Sequence, residues 1–337
     1  LAGTAAAGAA IAMPEFFSFS QAKAPAINKV SSDLCEVVLA KEGRFRILQL
    51  TDTHFGTPTA ENRLKDEGTR KLIRSLVDDN TPDLVFHTGD FINNDKENAE
   101  HTAIGFMNDL GAPWAVALGN HDHANGKAGQ ISFDDYYSRM KNSLSGFKTK
   151  PGGGKDQCYR IDLRVGRKPA FASIFAFNCG DPQSGMIINA TQTAWFEEQI
   201  ESDKKAGRTQ PIIVMQHIPT VEFKTLFDQK LAIGRKGEDV CFELDKGEIF
   251  SRYVASGRVK AIFCGHDHVN DYIGALQGIR LVYGRCSGFS GYGDWQRGGR
   301  TIDLNSETGR VMTKVVLGRG SVEKAEWSET LKEMAAG

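Results

Sequence analysis

The sequence predicts a mixed α/β architecture built on two sheets. Three observations carry that expectation: the first third reads as strand, helix, strand, helix, strand; the later part mixes hairpins with helices; and five separate strands run into polar turns. Alternating strands and helices alone would give one doubly wound sheet. Hairpin strands require antiparallel pairing as well, so a second, mixed arrangement is expected.

The elements follow in chain order. "RFRILQL" (44–50) is the first strand, apolar at alternating and then adjacent positions. Residues 60–80 form an amphipathic helix, with Leu64, Leu72, Ile73, Leu76 and Val77 on one stripe. "PDLVFHTGD" is the second strand, and "AEHTAIGFMNDLG" a helix closed by Gly111. "PWAVALGNHDH" is the third strand. Then "FDDYYSRMKNSL" reads as helix, "KPGGGKDQ" as loop, and "CYRIDLRV" and "AFASIFAFNC" as strands with no strong helix between them. "TQTAWFEEQIESDKKAG" is a helix with Thr191 or Thr193 as its N-cap. "QPIIVMQHIP" is a strand, "DKGEIFSRYVASG" a short helix, and "VKAIFCGHDH" another strand. "GIRLVYGRCSGFSGYGDWQRGGRTIDLN" gives strand, Gly-rich loop and strand, and "SVEKAEWSETLKEMAAG" a terminal helix or tail.

Composition narrows the function classes. The 337 residues are 40% hydrophobic and 25% charged, ordinary for a soluble globular chain. A formal net charge of −1 provides no global basic field for nucleic acid or anionic membrane. An anionic substrate must therefore be held by something local. No run of ~18 or more apolar residues marks a transmembrane helix. The Ala-rich "LAGTAAAGAAIAMPEFF" reads either as the remnant of a signal-peptide core, which would make the protein secreted or periplasmic, or as a linker-like tail, which leaves a cytoplasmic location open. Six cysteines include no C-x-x-C pair, which argues against a zinc ribbon or thioredoxin-like site; an exported protein would have room for one or two disulfides. Cys264, inside "VKAIFC", reads as a buried small hydrophobe.

The five polar turns concentrate the chemistry. They hold Asp52 and His54; Asp90; Asn120, His121, Asp122 and His123; His217; and His266 and His268. Six of the eight histidines fall there, and only His87 and His101 do not. Taken singly, each His has an ordinary structural explanation, and Asp90 or Asn120 could be a turn former. Jointly they make a different case. Sites in open α/β sheets form beyond the carboxyl ends of strands, which brings such turns together. Residues i and i+2 at a strand end point the same way, so Asp52/His54 and His266/His268 can each grip one ion or two adjacent ions. Imidazole with carboxylate suits zinc, iron or manganese. About seven ligands exceed one tetrahedral zinc and suit two ions ~3.5–4 Å apart.

The ordered series D-x-H, GD, GNHD, H, GHxH resembles the calcineurin-like metallophosphoesterase superfamily, over roughly residues 44–305. "IFCGHDHVNDYIGALQGIRLVYG" further resembles its purple-acid-phosphatase-like branch. The resemblance implies a four-layer α-β-β-α sandwich of two mixed sheets, as a domain over 41–317, flanked by an N-terminal tail over 1–40 and a C-terminal helix or tail over 318–337. It implies two divalent or trivalent metal ions (Fe, Mn or Zn): one held by Asp52, His54, Asp90 and His268, the other by Asp90, Asn120, His217 and His266. His121 inherits contact with the substrate phosphate and proton donation to the leaving group, with Asp122 orienting it. The implied reaction is hydrolysis of a small phosphate ester, a monoester before a diester, by metal-bound hydroxide. A non-catalytic scaffold is the other class, although such proteins show eroded ligand sets and all seven positions are filled here.

Departures are also visible. Asn93 stands where purple acid phosphatases carry a ligating Tyr, and His54 has no counterpart there, so a tyrosinate–iron centre and its colour are not expected. The histidines that follow the isolated metal His in those enzymes are missing from "QHIPTVEFKTL". His123 reads as a solvent-exposed loop residue before a contact to the phosphate or to a carboxylate behind the ligands, and His87 as a core group or one that braces the site from behind. Arg285, beside Tyr283, reads as phosphate ligand or structural ion pair. The loop "SGFSGYGDW" reads as a pocket wall or a plain connection.

Overall fold

The computed structural model describes residues 25–31, 33–56, 60–93, 99–122, 158–179, 186–318 and 327–330. The expected helix over 133–144, the loop over 150–157, His123 and the Ala-rich start lie outside them.

Among the described residues, fifteen strands make two mixed sheets. The strands are β1 (Ala26–Lys29), β2 (Leu34–Leu39), β3 (Arg44–Leu50), β4 (Leu84–His87), β5 (Trp114–Val116), β6 (Cys158–Val165), β7 (Ala172–Phe177), β8 (Ile212–Gln216), β9 (Ile233–Lys236), β10 (Val259–Cys264), β11 (Asn270–Leu276), β12 (Ile279–Tyr283), β13 (Gly298–Asn305), β14 (Arg310–Leu317) and β15 (Trp327–Thr330). The larger sheet runs β1-β2-β6-β7-β8-β10-β12-β11-β9, and the smaller β15-β14-β13-β3-β4-β5. Five helices accompany them among the described residues: α1 (Ala60–Asn80), α2 (Ala99–Asn108), α3 (Ala190–Lys205), α4 (Val221–Asp228) and α5 (Glu248–Ser256). None is long and apolar enough to cross a membrane.

Period-two burial sorts each central strand between two layers. On β3, Phe45 and Ile47 enter the core between the sheets, while Leu48 and Leu50 face the layer of α1 and α2. On β8, Ile213 and Met215 face the partner sheet, while Ile212 and Val214 meet Phe223, Ile249 and Phe250 from α4 and α5. Three apolar clusters between four layers are the expected sandwich.

Several expectations are corrected. The segment read as a tail over 1–40 carries β1 and β2. Cys35, Val37 and Leu39 alternate into the inter-sheet core, and β2 pairs in parallel with β6. The last segment, read as helix or tail, contributes β15 on the edge of β14. The cap of α3 is Asn189, not Thr191 or Thr193: its side chain accepts from Thr191 N at 2.9 Å and Gln192 N at 3.1 Å, and Gln192 Oε1 in turn accepts from Asn189 N at 3.0 Å. This is a capping box, and it satisfies three amides where a threonine would satisfy one. Leu64 is exposed rather than in the apolar stripe of α1. That end of the helix turns Asp66 and Thr69 inward instead, where they accept from Gly56 N, Ser290 Oγ and Phe289 N. None of the six cysteines is paired in a disulfide, and Cys264 is fully buried as expected.

Candidate functional site

Topology brings the five turns to one edge. β3, β4 and β5 are parallel neighbours in one sheet, and β8 and β10 are parallel neighbours in the other, so their carboxyl ends converge. Backbone hydrogen bonds lace the turns within each sheet: Asp52 N to Gly89 O, His54 N to Asp90 O, and Gly265 N to His217 O, all near 3 Å. Gln49 staples the sheets beneath the site, donating from Nε2 to Thr88 Oγ1 and to Cys264 O, both at 3.0 Å.

The turns are held in an expensive conformation. Asp52, His54, Asp90 and His266 all have positive φ, at 55°, 46°, 50° and 77°. For a residue with a Cβ this region costs on the order of 1 kcal/mol each. Nine such residues occur among the described positions, and four are in these turns. The strain is concentrated where the side chains must converge.

Among the described residues the turns give three groups of ligand-type atoms: His54, Asp90 and His121 make one, and it overlaps two others that share no residue with each other. Asp52, His54 and His268 form one, with His54 Nε2 3.1 Å from His268 Nε2 and Asp52 Oδ1 3.5 Å from His268 Nε2. Asp90, His217 and His266 form the other, with His266 Nδ1 3.2 Å from His217 Nε2. Asp90 lies between them: its Oδ2 is 3.6 Å from His54 Nε2 and 3.3 Å from His217 Nε2. His217 Nδ1 donates to Thr88 O at 2.7 Å, which aims its other nitrogen at Asp90. Asn120 reaches the same cleft, and its Oδ1 is buried with no hydrogen-bond partner among the described residues. A buried, unpaired acceptor oxygen in a cleft also lined by Asp90, His54, His266 and His268 fits a cation rather than a protein donor.

The electrostatics agree. Burial would raise the Asp90 carboxyl, but His217 and His54 override it and hold it well below the usual range. Asp52 is lowered in the same way, against burial, chiefly by His268. Burial takes His54 down to about 4, so it is a neutral donor. His217 is raised despite burial, because Asp90 favours its charged form.

His121 is half-buried and lines the cleft. Its ring packs edge-on against His54 at 4.9 Å, and its backbone N donates to Asp90 Oδ1 at 2.9 Å. Its Nδ1 has no hydrogen-bond partner among the described residues. Asp122 does not do what its position suggested. Its two carboxylate oxygens accept from Ile92 N at 2.9 Å and Gly119 N at 2.7 Å. The carboxylate therefore holds the turn, not the His121 ring. Burial, with Asp90 nearby, raises it to about 7.

The residues weighed beside the motifs also resolve. His87 is fully buried and meets Thr53 Oγ1 at 3.0 Å. Arg285 is a structural ion pair, with Nε and Nη2 on Asp271 Oδ2 at 3.0 and 2.7 Å. The "SGFSGYGDW" loop walls the cleft: Tyr292 stacks on His268 at 3.9 Å and donates to Glu238 Oε2 at 2.7 Å. The cleft has a volume of about 710 Å³ and is also lined by Asn93. Sequence reasoning missed Cys241, Glu243 and Glu238 on its far wall, because no strand-end pattern announces them. It also missed Asp267, the middle residue of "GHDH". Asp267 accepts from Cys241 N and from Tyr283 Oη, so it clamps its turn as Asp122 clamps "GNHD".

Comparison with known proteins adds the following. A family model described as calcineurin-like phosphoesterase matches residues 45–270. A protein named probable inactive purple acid phosphatase 28, from Arabidopsis thaliana, is 29% identical over 311 residues, covering 80% of this chain and 77% of that protein. The probable inactive purple acid phosphatase 14 of the same plant is 27% identical over 307 residues, covering 79% and 76%. Among solved structures, a dimetal phosphatase from Danio rerio aligns with a TM-score of 0.57 at 14% identity, covering 85% of this chain and 99% of that one. At that identity the likeness is one of fold.

Proposed function

The chain belongs to the calcineurin-like phosphoesterase family, and from that premise we propose that it hydrolyses phosphate monoesters at a dinuclear metal centre. The observation that carries the reading is Asp90, whose carboxylate lies between two His-containing groups and can serve both. On this reading Asp52, His54, Asp90 and His268 hold one ion, and Asp90, Asn120, His217 and His266 the other. Iron, manganese or zinc fits the donor set. When bound, such ions supply Lewis acidity and a nucleophile derived from water near neutral pH.

The protein's own groups do the rest. The clamped turns keep the donors within reach of one another, and the Tyr292 wall narrows access to the cleft. His121 contacts the phosphate and gives a proton to the departing alkoxide. Its half-buried ring lines the cleft, and its buried Nδ1 has no hydrogen-bond partner among the described residues, so the ring is not committed to a structural role there.

A second reading has its own support, since the two plant relatives carry the words probable inactive in their names. It makes the chain a metal-binding scaffold without turnover. One experiment separates the readings. Metal content and hydrolysis of nitrophenyl phosphate and bis-nitrophenyl phosphate are measured on the wild type, Asp90→Ala and His121→Ala. Monoester hydrolysis in excess over diester, lost together with metal in Asp90→Ala, supports the proposal. His121→Ala should keep both ions and lose ~10²–10⁴-fold in turnover, most for poor leaving groups. Metal without hydrolysis of either ester would leave the scaffold. Diester hydrolysis in excess would make the chain a phosphodiesterase or nuclease on the same site.

A further inference from the structure

His266 has two working nitrogens. Nδ1 faces His217 Nε2 at 3.2 Å, toward the inner centre. Nε2 faces outward, 3.5 Å from Glu243 Oε1. The Cys241 thiol completes that outer group, donating from Sγ to the same Glu243 oxygen at 3.3 Å. A thiol, a carboxylate and an imidazole thus have ligand atoms within 4.8 Å of one another. All three line the open cleft, and Cys241 is exposed.

The grouping is built rather than incidental. Asp267, next to His266 in the chain, accepts from Cys241 N through both oxygens, at 3.3 and 3.2 Å. Tyr283 fixes Asp267 in turn at 2.6 Å. Glu243 adopts a φ of 50°, a conformation a non-glycine residue rarely keeps without support. The turn from 241 to 243 is therefore pinned to the end of β10, with its donors aimed at His266.

We propose that Cys241, Glu243 and Nε2 of His266 form an outer cation site, separate from the inner centre and joined to it through the shared imidazole. The thiolate–imidazole–carboxylate set suits zinc, with a fourth position open to the cleft. Protons balance as follows. The cation displaces the thiol proton that Cys241 donates to Glu243, and that proton passes to solvent through the open cleft. Where Nδ1 already serves the inner centre, the ring N–H proton leaves as well, so the imidazole bridges as its anion. The inner half of this rests on the dinuclear reading, but the outer site does not need it.

The test uses the full chain, stripped with chelator and reloaded with Co(II), whose thiolate complexes show a charge-transfer absorption. The wild type should show that band and bind one more ion than Cys241→Ser. Cys241→Ser should lose the band and keep the inner ions. Asp90→Ala should lose the inner ions and keep the band, so failure of the dinuclear reading and failure of this one are distinguishable. The proposal is overturned if the wild type shows no thiolate band, or if the band survives in Cys241→Ser. It is also overturned if Glu243→Gln lowers inner-ion content and leaves the band intact, because Glu243 would then only orient His266.

Discussion

At the scale of single residues, the two motif aspartates that are not candidate ligands turn out to be the mechanical parts of the site. Asp122 and Asp267 each directly follow a motif His, and each spends its carboxylate on the backbone: Asp122 on the amides of Ile92 and Gly119, Asp267 on the amide of Cys241, beside the Tyr283 hydroxyl. Replacing Asp122 by Ala orphans the buried amides of Ile92 and Gly119. Each loss costs ~1–3 kcal/mol, so the urea midpoint should fall by the equivalent of roughly 2–6 kcal/mol. Asp122→Asn keeps an acceptor oxygen and should lose less. If Asp122 instead served only to orient His121, either change would lower turnover and leave the midpoint where it was. The sequence made every candidate ligand of the inner centre visible, because a strand ending in clustered His, Asp and Asn is a rare pattern; Cys241 and Glu243 lie on no such strand end and stayed hidden. It could not divide labour within a turn. Neighbouring side chains on a tight turn point in different directions, and which of them meets an amide depends on the strand alongside.

At the scale of elements, the motif glycines explain how the turns pack so closely. A Cβ on Gly119 would lie 2.3 Å from both the N and the Oδ1 of Asp90. One on Gly265 would lie 1.9 Å from Thr51 Oγ1. Neither neighbour can withdraw without moving a site residue or the strand end that carries it. Gly119→Ala should therefore displace Asp90 and cost on the order of 1–3 kcal/mol, with a matching fall in bound metal. Gly105 on α2 is the control: a Cβ there would meet nothing within 4 Å, and Gly105→Ala should stabilise the helix by up to ~1 kcal/mol without touching metal content. Equal metal content in the two variants, by elemental analysis, would sink the packing argument. Strands β3, β4, β5, β8 and β10 were legible because apolar runs stop abruptly at polar, mostly glycine-bearing turns. The cap at Asn189 was not, since a capping box and a lone threonine cap look alike until the first helical turn is placed.

At the scale of the whole molecule, the sandwich depends on residues that lie before its first legible strand. The Ala-rich start drew the reading of 1–40 toward a tail, and β2 is short, with a charged residue in its middle. Its buried face is nevertheless complete: Cys35, Val37 and Leu39 are at most 8% exposed and join the core between the sheets. β2 also covers the edge of β6 over six residue pairs. The turn before it is tied in too, since Trp195 Nε1 donates to Asp33 Oδ2 at 2.9 Å and Arg160 N to Asp33 O at 2.7 Å. Burying an aliphatic side chain stabilises by ~1.5–3 kcal/mol, so losing Val37 and Leu39 alone removes about 3–6 kcal/mol. That is a large part of the ~5–15 kcal/mol that holds a typical domain together. A chain beginning at Lys41 should therefore unfold at a much lower urea concentration than one beginning at Pro25. With β6 left as an uncovered edge, it should also scatter light at concentrations where the longer chain stays clear. Coincident unfolding curves would show that the domain starts at β3 and that β1 and β2 only rest against it. The candidate site offers an internal control, because every turn that builds it follows residue 41. At low temperature the shorter chain should bind metal as the longer one does, and lose it at the lower midpoint as the sheets separate.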